Sequence, residues 1–125
     1  MGNRPKTLAF PKRGEVYMVD FDPTRGSEMA KCRPAVIIQN DIGNRYAATT
    51  IVAPFTSQFD ETLYPTEVLV RAPEGGLASD SVVRLDQVRV TDKARLLRRL
   101  GILAPVTIRQ VNSALLISLG LGLVE

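Results

Sequence analysis

The chain has 125 residues, 45% apolar and 23% charged, which suits one soluble globular domain around a single core. With no His and one Cys, the composition excludes a His general base, a Ser-His-Asp or Cys-His nucleophile, a His- or thiolate-bound zinc and an internal disulfide. The net charge of +3 comes from two basic segments, 1–33 and 89–109, around an acidic middle, and twelve of the sixteen basic residues are Arg, whose planar fork matches phosphate oxygens.

Residues 1–12 carry Arg4, Lys6 and Lys12 with Pro5 and Pro11, and read as a flexible arm. Its apolar run Leu8-Ala9-Phe10 is too short for a signal-peptide core or a membrane span. From Glu15 to Phe21 the larger apolar residues alternate at Tyr17, Val19 and Phe21, the pattern of a half-buried strand. Asp22 to Glu28 is a polar loop broken by Pro23 and Gly26. Pro34 to Gln39 is a β-branched run that predicts a central strand buried on both faces. A turn is expected at Asn40–Arg45, then a strand over Thr49–Pro54 and a second polar loop over Thr56–Glu61. Further strands fit Thr66–Arg71 and Ser81–Leu85, separated by Glu74-Gly75-Gly76, with Gln87–Val90 continuing the second pattern.

The period then changes. Thr91-Asp92 is placed to cap a short basic helix over Lys93–Leu100, ended by Gly101. Pro105 suits the first turn of a final helix, with Ile108, Val111, Leu115 and Leu119 on one stripe. Short strands followed by helices indicate a small, curved β-sheet or barrel with helices packed on it.

Three clusters carry candidate chemistry. In the first, a loop holding Arg25, Ser27, Glu28 and Lys31 runs into Arg33, at the threshold of the apolar strand. A fixed guanidinium beside a polar loop is suited to a phosphodiester; the same position equally suits a strand-end Arg paired with Glu28 or Asp41. In the second, Thr56, Ser57 and Gln58 bring hydroxyl and amide groups to a strand end, where they serve either turn formation or phosphate and base-edge contacts. The third, Asp86-Gln87-Val88-Arg89, offers Gln87 to a groove. Asp20, Asp22 and Glu28 form a sparse carboxylate group that suits a divalent cation or simple surface exposure, and Cys32 lacks a His to activate it. Phe59 and Tyr64, in the second loop, are candidates for stacking on bases or for anchoring that loop.

Five segments, in order and with compatible spacing, resemble the MazF/PemK toxin endoribonucleases: Arg13–Tyr17, Asp20–Glu28, Arg33–Ile38, Pro54–Gln58 and Asp86–Arg89. The resemblance runs from about Arg13 to Leu121. It implies a mainly β (α+β) fold, an SH3-like, strongly curved β-barrel of the CcdB/MazF type with short helices and a C-terminal helix, in one domain over 13–125. It also implies a cytoplasmic homodimer that cuts single-stranded RNA sequence-specifically with no metal or other cofactor. A cognate antitoxin would neutralise it with an acidic, apolar and otherwise disordered tail. By the same resemblance Arg33 and Thr56 are the catalytic pair. Arg25, Ser27, Glu28 and Lys31 belong to an RNA-facing flap, and Ser57, Gln58, Phe59 and Gln87 line the RNA groove. Met18 stands where members usually carry an aromatic, and Met29 where many carry Gln.

The lack of His gains a chemical meaning in that setting. RNA supplies its own nucleophile, a 2′-OH that attacks the adjacent phosphorus and leaves a 2′,3′-cyclic phosphate and a 5′-OH. The enzyme then orients the attack, stabilises charge and moves protons. A guanidinium pKa above about 12 makes Arg33 a poor base, so its main expected task is charge stabilisation, with protonation of the leaving 5′-oxygen second. Two other readings compete: a CcdB-like, gyrase-inhibiting toxin without enzymatic activity, and a non-catalytic SH3-like RNA-binding module. The first calls for a C-terminal aromatic, and Leu121-Gly122-Leu123-Val124-Glu125 supplies none.

Overall fold

The computed structural model describes residues 10–21 and 32–122; most of the expected arm (1–9), the loop 22–31 and residues 123–125 lie outside them. Seven strands, β1 (Glu15–Asp20), β2 (Cys32–Ile37), β3 (Thr49–Thr56), β4 (Glu67–Val70), β5 (Ser81–Arg84), β6 (Arg89–Asp92) and β7 (Leu96–Ile102), form one antiparallel sheet. A short helix α1 (Asp41–Tyr46) follows β2, and α2 (Pro105–Ser118) closes the chain.

The strands run in the order β4-β5-β3-β2-β1-β7, with β6 also alongside β3. The mainly β expectation with a C-terminal helix holds. Closure into a barrel does not: among the described residues no ladder joins β7 back to β4, and the sheet is open. β3 is the hub. One of its edges pairs with β2, while its first half pairs with β6 and its last two residues with β5.

Strand alternation divides the apolar residues between two faces. Val16, Val36, Ala53, Phe55 and Val83 point to one, where Val111 and Ala114 of α2 cover them. Val19, Phe21, Ala35, Ile37 and Val52, with Tyr17 packed against them, point to the other. The alternation expected at Tyr17, Val19 and Phe21 is therefore present, but β1 is buried on both faces, because Val16 and Val19 are both fully enclosed. The β-branched run of β2 is likewise enclosed from Ala35 to Ile38.

Several local expectations are corrected. Residues 40–45 begin a helix, because Asn40 Oδ1 accepts the Gly43 N–H at 2.8 Å as an N-cap. Asn44, fully buried, then locks that helix to β3: its Oδ1 accepts from Thr50 Oγ1 at 2.7 Å and its Nδ2 donates to the Gln39 carbonyl at 2.9 Å. β3 extends through Thr56, so Phe55 and Thr56 belong to the strand and not to the following loop. Arg89–Asp92 is a separate strand on β3 and not an extension of β5.

The basic helix expected over 93–100 is a 3-10 turn at Lys93–Arg95 followed by β7. Pairing with β1 overrides the helical signal, and the register slips twice, between Val16 and Tyr17 and between Met18 and Val19. Gly101, read as a helix stop, instead lets β7 approach the 3-10 turn Glu74–Gly76: a Cβ there would sit 2.7 Å from the Gly75 carbonyl carbon. Gly76 has φ +77°, and a Cβ on it would collide with the Leu100 carbonyl oxygen.

Pro105 opens α2 as expected, and Glu74 Oε2 accepts the Ala104 N–H at 2.9 Å beside it. The buried stripe is Thr107, Val111 and Ala114, with Ile108 and Leu115 packed at its edge, while Leu119 falls beyond the helix and is exposed.

Candidate active site

Arg33 is the second residue of β2 and lies opposite Val19 of β1. The β2–β3 ladder pairs Ile37 with Val52, Val36 with Ala53 and Ala35 with Pro54. Carried two residues further, that register sets Arg33 opposite Thr56, the last residue of β3, and puts both on the same face. The two residues bound a single open cleft of about 590 Å³.

The two side chains are held in different ways. The Arg33 guanidinium makes no hydrogen bond or ion pair with another side chain among the described residues. Asp41, one of the partners its sequence position suggested, instead accepts from the Arg13 N–H at 2.7 Å and from Asn44 Nδ2 at 3.1 Å. Thr56 Oγ1 accepts the Gln58 N–H at 3.1 Å and donates to the Gln58 carbonyl at 3.4 Å, a turn that fixes the hydroxyl at the strand end.

Ser57 and Gln58 line the same cleft and also wall a second one, of about 560 Å³, which contains Phe59 and Tyr64. Gln87 does not line the first cleft. It is exposed in the turn after β5, beside Asp86, whose charged form it helps to stabilise. Arg25, Ser27, Glu28 and Lys31 lie outside the described residues, as do Asp22 and the Glu28 alternative for pairing Arg33. Among the described residues no three His, Cys, Asp or Glu side chains converge to hold a metal ion.

The opposite wall of the first cleft is the segment Leu77–Ser79 with Ser81, which sequence reasoning missed. Ser81 Oγ donates to the Ser79 carbonyl at 2.9 Å, so this wall is tied to the start of β5. Its only sequence signal is a pair of small hydroxyl residues after the Gly75-Gly76 turn, easily read as the mere beginning of a strand. Cys32 is exposed at the cleft mouth.

The electrostatics near the second cleft are specific. Arg84 Nε and Nη2 donate to the two Asp86 oxygens at 3.1 and 2.9 Å, and Glu67 Oε2 is 3.4 Å from Nε. The hydrogen bond from Arg84 holds the Asp86 carboxyl below its ordinary range, and Asp86 in turn raises Arg84. The basic residues of 89–99 are largely spent on neighbours. Arg89 lies 4.7 Å over the Phe21 ring, Arg95 donates to the Asp20 carbonyl at 3.2 Å, and Arg99 pairs with Glu15 at 2.8 Å.

A family model described as PemK-like, MazF-like toxin of type II toxin–antitoxin system matches residues 12–119. The chain is 44% identical over 110 residues to the endoribonuclease MazF of Staphylococcus saprophyticus, covering 88% of this chain and 92% of that protein. Among solved structures, it superimposes on an endoribonuclease in complex with its cognate antitoxin from a mycobacterial species with a TM-score of 0.74, at 26% identity over 91% of this chain and 99% of the other. It matches the MazE–MazF complex (Form-II) of Deinococcus radiodurans with a TM-score of 0.75, at 26% identity over 90% and 98% of the two chains.

Proposed function

The chain belongs to the PemK-like, MazF-like toxins of type II toxin–antitoxin systems, and from that premise we propose that it is an endoribonuclease whose Arg33 and Thr56 form the reacting site. The observation that carries this reading is the placing of Arg33, which has no ion-pair partner among the described residues, beside the Thr56 hydroxyl on one open cleft. The substrate is RNA, single-stranded as the family resemblance implies, and its 2′-OH next to the scissile phosphate supplies the nucleophile, since the chain has no His to activate one of its own.

In the proposed step the 2′-oxygen bonds to phosphorus, the bond to the 5′-oxygen breaks, and one proton leaves the 2′-OH while another reaches the departing 5′-oxygen. The products are a 2′,3′-cyclic phosphate and a 5′-OH. Arg33 holds the negative charge that grows on the non-bridging oxygens, in the geometry for which its two-pronged donor set is suited. Thr56 donates to one of those oxygens. For that the hydroxyl exchanges its long donation to the Gln58 carbonyl, 3.4 Å, for the substrate oxygen, while the Gln58 N–H holds Oγ1 in place at 3.1 Å. Ser57, Gln58 and Phe59 contact the RNA beyond the cut, and Arg25, Ser27, Glu28 and Lys31 contact it from the flap. Gln87 acts on RNA only at the margin, through its place beside Asp86.

A single toxin domain over 13–125, with 1–12 as an arm, acts as a homodimer in the cytoplasm. Leu116, Leu119 and Leu121, exposed at the end of α2, give a second copy an apolar surface. No helix among the described residues is long and apolar enough to cross a membrane. A cognate antitoxin with an acidic, partly disordered tail restrains the activity. The test is incubation of the purified protein with a long RNA in EDTA, followed by end-group analysis. Cyclic phosphate and 5′-OH ends are expected. Binding without cleavage, or cleavage only after magnesium is added, overturns the proposal.

A further inference from the structure

The second cleft takes no part in the bond-breaking step, yet it is built on the same sheet face. Thr56 pairs with Val82, Arg84 stands two residues further along β5, and Glu67 faces Arg84 from β4. Two strand residues span roughly 7 Å. RNA that passes the shared Ser57–Gln58 wall therefore reaches Arg84 within one or two nucleotides of Thr56.

Arg84 is held in a fixed plane. Asp86 takes its Nε and one Nη2 hydrogen, which occupies one edge of the guanidinium. The outer Nη1–Nη2 edge keeps two parallel N–H donors, and no hydrogen bond engages Nη1 among the described residues. Glu67, with 11% of its side chain exposed, also fixes the backbone of Tyr64. Its Oε1 accepts the Tyr64 N–H at 2.9 Å, and its own N–H donates to the Tyr64 carbonyl at 2.9 Å. Tyr64 is 70% exposed and lines this cleft, as does Phe59.

The charge balance selects among ligands for the free fork. Asp60, Glu67 and Asp86 surround one Arg84, a net-negative setting that repels a phosphate and accepts a neutral group. Two adjacent acceptors on a flat, neutral, stackable ring describe a nucleobase edge, and the guanine O6/N7 pair is the commonest match for such a fork. An exposed tyrosine ring offers the stacking surface.

We propose that this cleft is a nucleobase subsite that reads a guanine flanking the cut, with Arg84 donating to O6 and N7 and Tyr64 stacking on the ring. The proposal rests on the nuclease reading. Asp86 and Glu67 are positioning residues that act through Arg84 and Tyr64.

The test digests an RNA pool carrying a randomised stretch and sequences the ends. The unmodified chain enriches guanine at one fixed position relative to the cut. Arg84→Leu lowers that enrichment by about tenfold or more, and Arg84→Lys, which keeps the charge without the fork, fails to restore it. Tyr64→Ala raises KM while the preferred base stays guanine, and Asp86→Asn weakens the preference with Arg84 intact. Circular dichroism melts establish folding, and if Arg84→Leu does not fold, Asp86→Asn tests the loss of preference and Tyr64→Ala the rise in KM. Cleavage by the unmodified chain without a guanine preference, an unchanged preference in folded Arg84→Leu or Asp86→Asn, or an unchanged KM in folded Tyr64→Ala overturns the subsite. No cleavage of any RNA by the unmodified chain overturns the nuclease reading, and the subsite with it.

Discussion

A guanidinium and a hydroxyl do different work at the residue scale, and substitutions separate them. Arg33→Lys keeps a cation but loses the two-pronged geometry, so kcat is expected to fall by about 10²–10³-fold with little change in thermal midpoint. Near-wild-type turnover would contradict a bidentate role. Thr56→Val removes one donor and is expected to cost a similar factor, while Thr56→Ser restores most of the rate; single-turnover kinetics measures both. Asp86 supplies a pH dependence of the fold. Its carboxyl is held below the usual value of about 3.9 by the Arg84 hydrogen bond. A depressed folded-state value means that its stabilisation is present above that ordinary value and is lost as pH falls through the lowered one. Urea midpoints of the wild type and of D86N should therefore converge as pH drops below about 4. A constant offset across the acid range would contradict the pairing. Arg33 and Thr56 stand out in the sequence because each sits at the end of an apolar strand, but it is the family resemblance that joins them as a pair, and the strand register sets them side by side. Arg84 does not stand out, since its role arises from cross-strand pairing with Glu67 and from Asp86 two residues away.

Elements show where local patterns decide the structure and where long-range pairing does. β1, β2, β3, β5 and α2 follow directly from alternation, β-branched runs and the helix-start proline. The stretch 93–102 misleads, because a capping-like Thr91-Asp92 and a terminal Gly101 frame residues that suit a helix. Its structure is set by β1 on one side and by the Glu74–Gly76 turn on the other, and neither is near in sequence. The small hydroxyl wall of the cleft was illegible for the same reason: Ser79 and Ser81 matter only because β5 runs beside the end of β3. Gly76 tests the long-range contact. Gly76→Ala places a Cβ against the Leu100 carbonyl at a residue with φ +77°, and is expected to destabilise by at least about 1–3 kcal/mol. Chemical denaturation measures this, and a neutral effect would mean that β7 does not press on the turn.

For the molecule as a whole, one sheet face is packed under α2 while Arg33, Thr56 and Arg84 share the other. That separation lets the core hold the strand ends rigid while the clefts stay open. It also explains why net charge alone is a poor guide. Arg33 has no ion-pair partner among the described residues, whereas Arg95 and Arg99 are engaged by Asp20 and Glu15. The central claim is that the RNA brings its own nucleophile to a charge-stabilising site. It is tested most directly with two otherwise identical oligonucleotides containing the cleaved sequence, one all-ribose and one with a single 2′-deoxyribose on the 5′ side of the scissile phosphate. The all-ribose strand should be cut in EDTA to a 2′,3′-cyclic phosphate, and the deoxy strand should bind with comparable affinity and remain intact. Cleavage of the deoxy strand at the same bond would contradict the mechanism.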